Sequence, residues 1–499
     1  MNFRAPTVSS TAYAGLTDHA ALLSSAELRQ IEAQYAHLDL MRRAGKAAAE
    51  FLMARSQRSD RIVLVAGPGN NGGDAFACAA ELRAGGYEPL VVFLAEAMNL
   101  PTDARAARQR ALDAGVSMVP SLTEFDGASW IIDGLFGIGL KRPLDGAYSD
   151  AVRVIAQARE AGASVLALDV PSGVDTDTGA LVGDVAVAAD HTLTFIAPKP
   201  GLMTGPALDY GGQLHLASLG LDLSDAPTAV TAFGLDDARL LLRPARANAH
   251  KGSRGTLAII GGANGMLGAA LLASRAAMRM GAGKVKVAWL AEPHPQVDPL
   301  MPEVMMGAVS DQSGYADATA LAVGCGMGKS AGAKRMLMAM LRRPEPLLLD
   351  ADALNLVAQS KTLQHQGTRR TGGTVITPHP AEAARLLGIS TAAVQNDRLR
   401  AARELATRFN CVAVVKGAGT VVDDGQATTI NTTGNPLLAT AGTGDVLAGM
   451  IGALLAQGYS ARDAARIGVA LHGAAADALA ARGVRRAVAG DIVTELTTL

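Results

Sequence analysis

The sequence predicts an α/β protein whose two consecutive halves each fold as a sheet wrapped by helices, the first half a doubly wound parallel sheet. Three observations predict this. Short aliphatic runs such as Ile62 to Ala66 and Cys411 to Val415 alternate with helical patterns along the whole chain. Uninterrupted apolar runs of that length suit strands buried on both faces of a parallel sheet. The chain has 499 residues, and at roughly 100–200 residues per domain it holds two or three domains.

Composition narrows the functions. Hydrophobic residues make up 49% and charged residues 18%, enough for large cores. The net charge of −1 leaves no basic excess to neutralise phosphates, which argues against nucleic-acid and membrane-surface partners. Cys78, Cys325 and Cys411 are isolated, so no disulfide framework or zinc site follows. Met1 to Ser10 lacks the apolar core of a signal peptide, and no apolar run reaches spanning length. A soluble cytoplasmic protein is expected.

In the first half, Glu27 to Met53 has the periodicity of one helix. The strand Arg61 to Ala66 runs into Gly67-Pro68-Gly69-Asn70-Asn71-Gly72-Gly73-Asp74, and a helix follows to about Arg83. The loop matches the G-x-G-x-x-G dinucleotide fingerprint, with Glu96 slightly late for its acidic partner. Its Asn pair can instead hold a cation or hydroxyls, or simply cap a tight turn. Further strands at Ser129 to Asp133 and Ser164 to Val170 end at Asp133 and shortly before Ser172. Ligands bind at the carboxyl ends of strands in such sheets, so Asn71, Asp133 and Ser172 can converge. Oxygen groups of this kind suit a hard cation. Strands at His191 to Phe195 and Gln213 to Ala217 flank Lys199-Pro200-Gly201.

The chain changes character over Leu221 to Arg246, which puts the boundary near residue 225. Strands then end at Gly261-Gly262, at Gly324 to Gly328, at Asp350-Ala351-Asp352, at Thr377-Pro378-His379-Pro380 and at Lys416 to Thr420. The stretch Asn435 to Gly449 joins a small-residue loop to a helix at Gly442-Thr443-Gly444-Asp445. Free N–H groups at a helix start favour an anion. Asp445 beside it is a general base or a helix cap. Plainer readings exist for the others: Asp350 and Asp352 as caps, His379 as a loop histidine, Lys416 as a surface charge.

The loop with Asp445 and its preceding strands looks like the ribokinase-type fold. Taken with Leu40-Met41, Ala44-Gly45, Gly69 to Asp74, Asp133 to Gly139, Asp169 to Gly173 and His250-Lys251-Gly252, the chain resembles the bifunctional NAD(P)H-hydrate repair enzymes. The resemblance implies a Rossmann-like epimerase domain at 1–225 and a ribokinase-like, ADP-dependent dehydratase domain at 226–499. It implies potassium on Asn71, Asp133 and Ser172. Hydrated NADH or NADPH would meet Asn70, Asn71, Gly72, Gly73 and Asp74, then Gly137, Ile138, Gly139, Leu140, Lys141, Arg142 and Pro143, with Asp169 a candidate acid/base.

In the second domain Ala269, Gly326 or Gly328, His379 and Asp445 would contact the hydrate. Lys416, Gly417, Ala418, Gly419 and Thr420 would hold ADP together with Asn435, Ala441, Gly442, Thr443 and Gly444. Magnesium would accompany it, Asp445 would be the base, and a homo-oligomer is expected. Two departures stand out. Ala75 replaces a common Gly, and its methyl group would crowd a ligand. Leu437-Leu438 replaces a Gly-Met pair and alters the local backbone. Two rivals remain open: a ribokinase-type small-molecule kinase fused to a nucleotide-binding module, and a regulatory first half.

Overall fold

The computed structural model describes residues 13–14, 20–223, 228–244 and 246–499, with the side chains of 13, 14 and 313 left aside. The readings at Met1 to Ser10 and the boundary near 225 lie outside the described residues. Contacts divide the chain into units of residues Met1–Thr228 and Ala229–Leu499.

The first unit runs β1 (Tyr13–Ala14), α1 (Ser25–Gln34), α2 (Leu40–Met53), β2 (Ile62–Ala66), α3 (Asn70–Ala84), β3 (Leu90–Phe93), α4 (Thr102–Asp113), β4 (Ser117–Val119), β5 (Trp130–Gly134), α5 (Gly146–Glu160), β6 (Ser164–Leu168), β7 (His191–Phe195), α6 (Ala207–Tyr210) and β8 (Gln213–Ala217). The strand order is β1-β8-β7-β6-β5-β2-β3-β4. Every pairing is parallel. Side chains alternate across β2: Ile62 and Leu64 pack with α2 and α3, while Val63 and Val65 pack with α5. Gly45 lets α2 and α3 touch, since a Cβ there would lie 2.3 Å from that of Ala77.

The single helix expected over Glu27 to Met53 is two. Asp39 breaks it by taking a left-handed conformation (φ 46°) and accepting from Arg42 N, which starts α2. The Gly-rich loop is also shorter than expected, because α3 begins at Asn70.

The second unit runs β9 (Val230–Phe233), α7 (Leu235–Leu241), β10 (Thr256–Gly261), α8 (Leu267–Arg279), β11 (Lys284–Trp289), β12 (Met305–Ala308), β13 (Ala320–Val323), α9 (Ala331–Leu341), β14 (Leu347–Leu349), α10 (Ala351–Ala358), α11 (Lys361–Thr368), β15 (Thr374–Ile376), α12 (Pro380–Leu387), α13 (Thr391–Asn396), α14 (Arg398–Phe409), β16 (Val412–Val415), β17 (Val421–Asp423), β18 (Thr428–Asn431), α15 (Thr443–Ala456), α16 (Ala461–Ala481) and α17 (Ala489–Glu495). The order is β12-β11-β10-β13-β14-β15-β16-β17-β18-β9. Among the described residues of this sheet, only the pairings of β17 with β16 and β18 are antiparallel. Every residue of α15 from Val446 to Ala456 is buried, as a helix apolar all round must be. Gly449 lets it press on α8, since a Cβ there would lie 2.0 Å from Ala273 O.

Candidate active sites

In the first unit the chain leaves β2 toward β3 and β4, then returns to lay β5 on the other side of β2. The crevice of a doubly wound sheet opens at this reversal. Asp133, fully buried in β5, accepts from Ser172 Oγ at 2.7 Å, Ser172 N at 2.8 Å and Leu135 N at 3.1 Å. Burial pushes its carboxyl up to about 6, against the pull of the Ser172 hydrogen bonds. Asn71, in the first turn of α3, is buried with neither amide atom partnered. Its Oδ1 lies 3.3 Å from where a Gly137 Cβ would stand. An orphaned buried amide costs roughly 1–3 kcal/mol, and a hard cation would satisfy its oxygen.

Beside these residues lies a cavity of about 390 Å³. Asn70, Asp74, Ile138 and Asp169 of the expected set line it, joined by Glu32 and Lys199, which the motif reading did not assign. Lys199 lay in view as Lys-Pro-Gly between two strands. Glu32 gave no signal, since it sits in an ordinary amphipathic helix. Burial raises Asp74 well above the usual carboxylate range, and the charges of Asp169 and Glu32 add to this. Burial raises Glu32 as well.

The rest of the expected set is placed differently. A Cβ on Gly72 would meet Gly67 O at 2.2 Å, so this glycine serves the tight turn. A Cβ on Gly73 would likewise lie 2.6 Å from Met41 Sδ. Gly139 is exposed on its turn. Leu140 turns into the core with α5, while Lys141, Arg142 and Pro143 are exposed outside the cavity lining. The methyl of Ala75 does not crowd the cavity: it is fully buried against Gly134. Glu96 is exposed and also outside the lining.

In the second unit the corresponding reversal lies between β10 and β13. Their exit loops are joined by Gly262 N to Cys325 O at 3.0 Å and Ala263 N to Gly326 O at 2.7 Å. A Cβ on Gly326 would stand 3.1 Å from that of Ala269, so α8 starts against this turn. Asp445 sits in the first turn of α15. The cap is Gly442 (φ 90°) with no side-chain bond, so the cap reading of Asp445 is overturned. Ligating atoms of Asp445, Asp350 and Cys325 lie within 4.8 Å of one another. Burial and the Asp350 charge push Asp445 up to about 6, while the Cys325 thiol and Lys416 pull it down.

Asp350 stands at the cap position of α10 but makes no side-chain cap. Its Oδ1 instead accepts from Lys416 Nζ at 2.9 Å and Thr377 Oγ1 at 2.8 Å. Lys416 is thus a mostly buried ion-pair partner and not a surface charge. Burial works against its charge, but Asp350 and Glu382 outweigh that and raise its pKa. Its ammonium reaches the start of α15, 3.4 Å from where a Gly444 Cβ would stand. Asp352 is likewise no cap: it accepts from Gly328 N at 2.8 Å. His379 caps α12, taking Ala381 N on Nδ1 at 3.1 Å. Burial, then Lys416, lowers its pKa.

Several of the expected nucleotide residues are held by local hydrogen bonds. Ala418 O accepts from the buried guanidinium of Arg398, and Thr420 Oγ1 donates to Gly417 O at 2.9 Å. Gly419 follows in a left-handed turn (φ 62°). The Asn435 side chain is committed to Asp477 Oδ1 at 2.8 Å and Leu437 N at 3.0 Å. Thr443 Oγ1 donates to Leu438 O and Thr440 O, both at 2.9 Å, and Ala441 is exposed. Leu437 and Leu438 close a short 3-10 turn and pack on the core.

Two α/β units, each with a buried carboxylate (Asp133, Asp350) and a buried or mostly buried lysine (Lys199, Lys416) just beyond strand ends, define a two-site enzyme. Residues 257–498 match the family described as NAD(P)H-hydrate dehydratase, and residues 37–201 match that described as YjeF-related protein N-terminus. The chain belongs to the bifunctional NAD(P)H-hydrate repair enzymes. It is 41% identical over 471 residues to the enzyme of that name from Escherichia coli strain K12, covering 92% of this chain and 88% of the relative. It is 40% identical over 486 residues to that of Coxiella burnetii, covering 94% and 96%. The ADP/ATP-dependent NAD(P)H-hydrate dehydratase of Bacillus subtilis, solved with ATP and magnesium, covers 54% of this chain and 96% of its own, at 30% identity and TM-score 0.47.

Proposed function

We propose that the first unit interconverts the R and S hydrates of NADH and NADPH, and that the second removes water from the S hydrate with ADP, releasing AMP and phosphate. The observation that carries this is Asp445: a partly buried carboxylate left uncommitted to capping, at a helix N-terminus that also receives the Lys416 ammonium. Such a start, with a cation beside it, binds the phosphate being transferred. Asp445 takes the proton of the C6 hydroxyl as its oxygen attacks phosphorus. Phosphate then leaves with the C–O electrons, a proton is lost from C5, and the dihydronicotinamide is restored. Positioning and charge neutralisation supply most of the rate, on the order of 10 kcal/mol.

In the first unit Asn71, Asp133 and Ser172 would hold potassium. The orphaned Asn71 amide supports that fit, and the ion would supply a fixed positive charge beside the cavity. In the second, Asp350 and Asp445 offer oxygen donors for magnesium arriving on the nucleotide phosphates. The remaining roles expected for the Gly-rich loops, His379 and Ala269 stand as part of this reading. No helix among the described residues is long and apolar enough to cross a membrane. Three free cysteines support a reducing compartment, and we place the protein in the cytoplasm as a homo-oligomer.

The test is direct. Hydrated NADH incubated with the protein, ADP and magnesium should regain the absorbance of NADH. A stable phosphorylated product without that recovery would turn the reading to a kinase.

A further inference from the structure

Lys199 is a lysine almost without solvent, 1% exposed at the exit of β7, yet it lines the cavity of the first unit. Its ammonium donates to Thr194 Oγ1 and Phe195 O, both at 2.8 Å, and to Asp169 Oδ1. All three protons are therefore used, and the charge is fixed in place. Asp169 also accepts from Phe195 N at 3.1 Å. Its backbone is left-handed (φ 65°), which is uncommon for a residue other than glycine and persists where surrounding contacts enforce it. Glu32 from α1 and Asp74 from α3 line the same cavity. Among these carboxylates, Asp169 alone has an ammonium hydrogen-bonded to it.

We propose that Lys199 is a positioning residue for the reaction of the first unit, clamping the Asp169 carboxylate so that it accepts and returns the proton of the substrate's C6 hydroxyl. This rests on reading that unit as the hydrate epimerase. As the proton leaves the oxygen, the C6–N1 bond breaks with its electron pair held on N1 and C6 becomes a carbonyl. N1 then re-forms the bond on the other carbonyl face and the oxygen takes the proton back, so atoms and electrons balance with no co-reactant. A carboxylate free to rotate would lose its aim, and proton transfer depends on hydrogen-bond reach. A merely structural lysine would tie β7 to β6 without affecting turnover.

The experiment follows interconversion of the R and S hydrates by chromatography, on the full chain, for Lys199→Met, Lys199→Arg, Asp169→Asn and the Asp169→Asn/Lys199→Met pair. Thermal melting identifies any variant that fails to fold. The expected result is a kcat lowered roughly 10²-fold in Lys199→Met with KM little changed. Lys199→Arg should recover part of it, and the double variant should be no slower than Asp169→Asn alone. Wild-type kcat in Lys199→Met, or losses that add in the double variant, overturns the proposal. Should Lys199→Met not fold, Lys199→Arg decides: a kcat equal to wild type overturns it, and a reduced kcat at unchanged KM supports it. If the unaltered protein leaves the epimers unmixed, the epimerase reading itself falls.

Discussion

Lys416 Nζ lies 2.9 Å from Asp350 Oδ1, although the two residues are 66 positions apart in the chain. The carboxylate is 2% exposed and the ammonium side chain 22%. The pair joins the exit of β14 to that of β16 and sets a fixed charge under the start of α15. Removing one member leaves the other buried without its counter-charge. Lys416→Met should therefore destabilise the second unit by roughly 3 kcal/mol, read as a shifted urea midpoint. Asp350→Asn added to it should recover part of that loss. An unshifted midpoint in the single variant would contradict the coupling.

Asp445→Asn should abolish hydrate dehydration, by about 10²-fold or more, and leave epimerisation intact. Equal loss of both activities would argue against independent sites.

The same variant should be more stable than the native chain at pH 8. The folded carboxyl titrates at about 6 against an ordinary value of 3.8. Between those values the folded state holds more protons, so stability falls as pH rises, and the penalty is complete above pH 6. Without nucleotide, the gain from Asn should be about 1–2 kcal/mol at pH 8, discounted for partial exposure, and absent near pH 3.5. A melting point equal to that of the native chain at pH 8 would refute this.

Potassium should stabilise the first unit by binding where the Asn71 amide has no partner. A ligand at 100 times its dissociation constant adds about 2.7 kcal/mol. Melting in potassium chloride against choline chloride at equal ionic strength should show the rise in the native chain and lose it in Asn71→Ala. A variant that still responds fully places the ion elsewhere.

His191 Nδ1 and His215 Nε2 lie 3.2 Å apart on adjacent strands, packed with Phe51. Burial, then His191 and Arg55, lowers His215 to about 4 from an ordinary 6.5. Between those values the unfolded chain binds more protons, so this residue makes the first unit less stable as pH falls through the window. His215→Gln should flatten that part of the melting profile between pH 6.5 and 4. A slope unchanged from the native chain would show that other groups govern it.

Legibility followed the range of the interaction. The strands His191–Phe195 and Gln213–Ala217 and the helix beginning near Asp445 could be read because a run of apolar residues reports its own burial. The break at Asp39 could not: one residue's left-handed turn outweighs a periodicity that continues on either side. The start of α3 at Asn70 was hidden because its glycines signal a loop, although two of them meet neighbours closely enough to exclude a side chain.

The sequence by itself determined the alternating α/β order, the position of polar motifs at strand ends and, by resemblance, the repair family. Only the tertiary structure decided which polar residues meet. Asp350 reaches Lys416 instead of capping its helix, Asp445 is left uncapped beside them, and Lys199 closes on Asp169. The physical reason is that strand patterns are local and self-reporting, while a buried charge chooses its partner among groups brought together by strand order. That order is a property of the whole sheet.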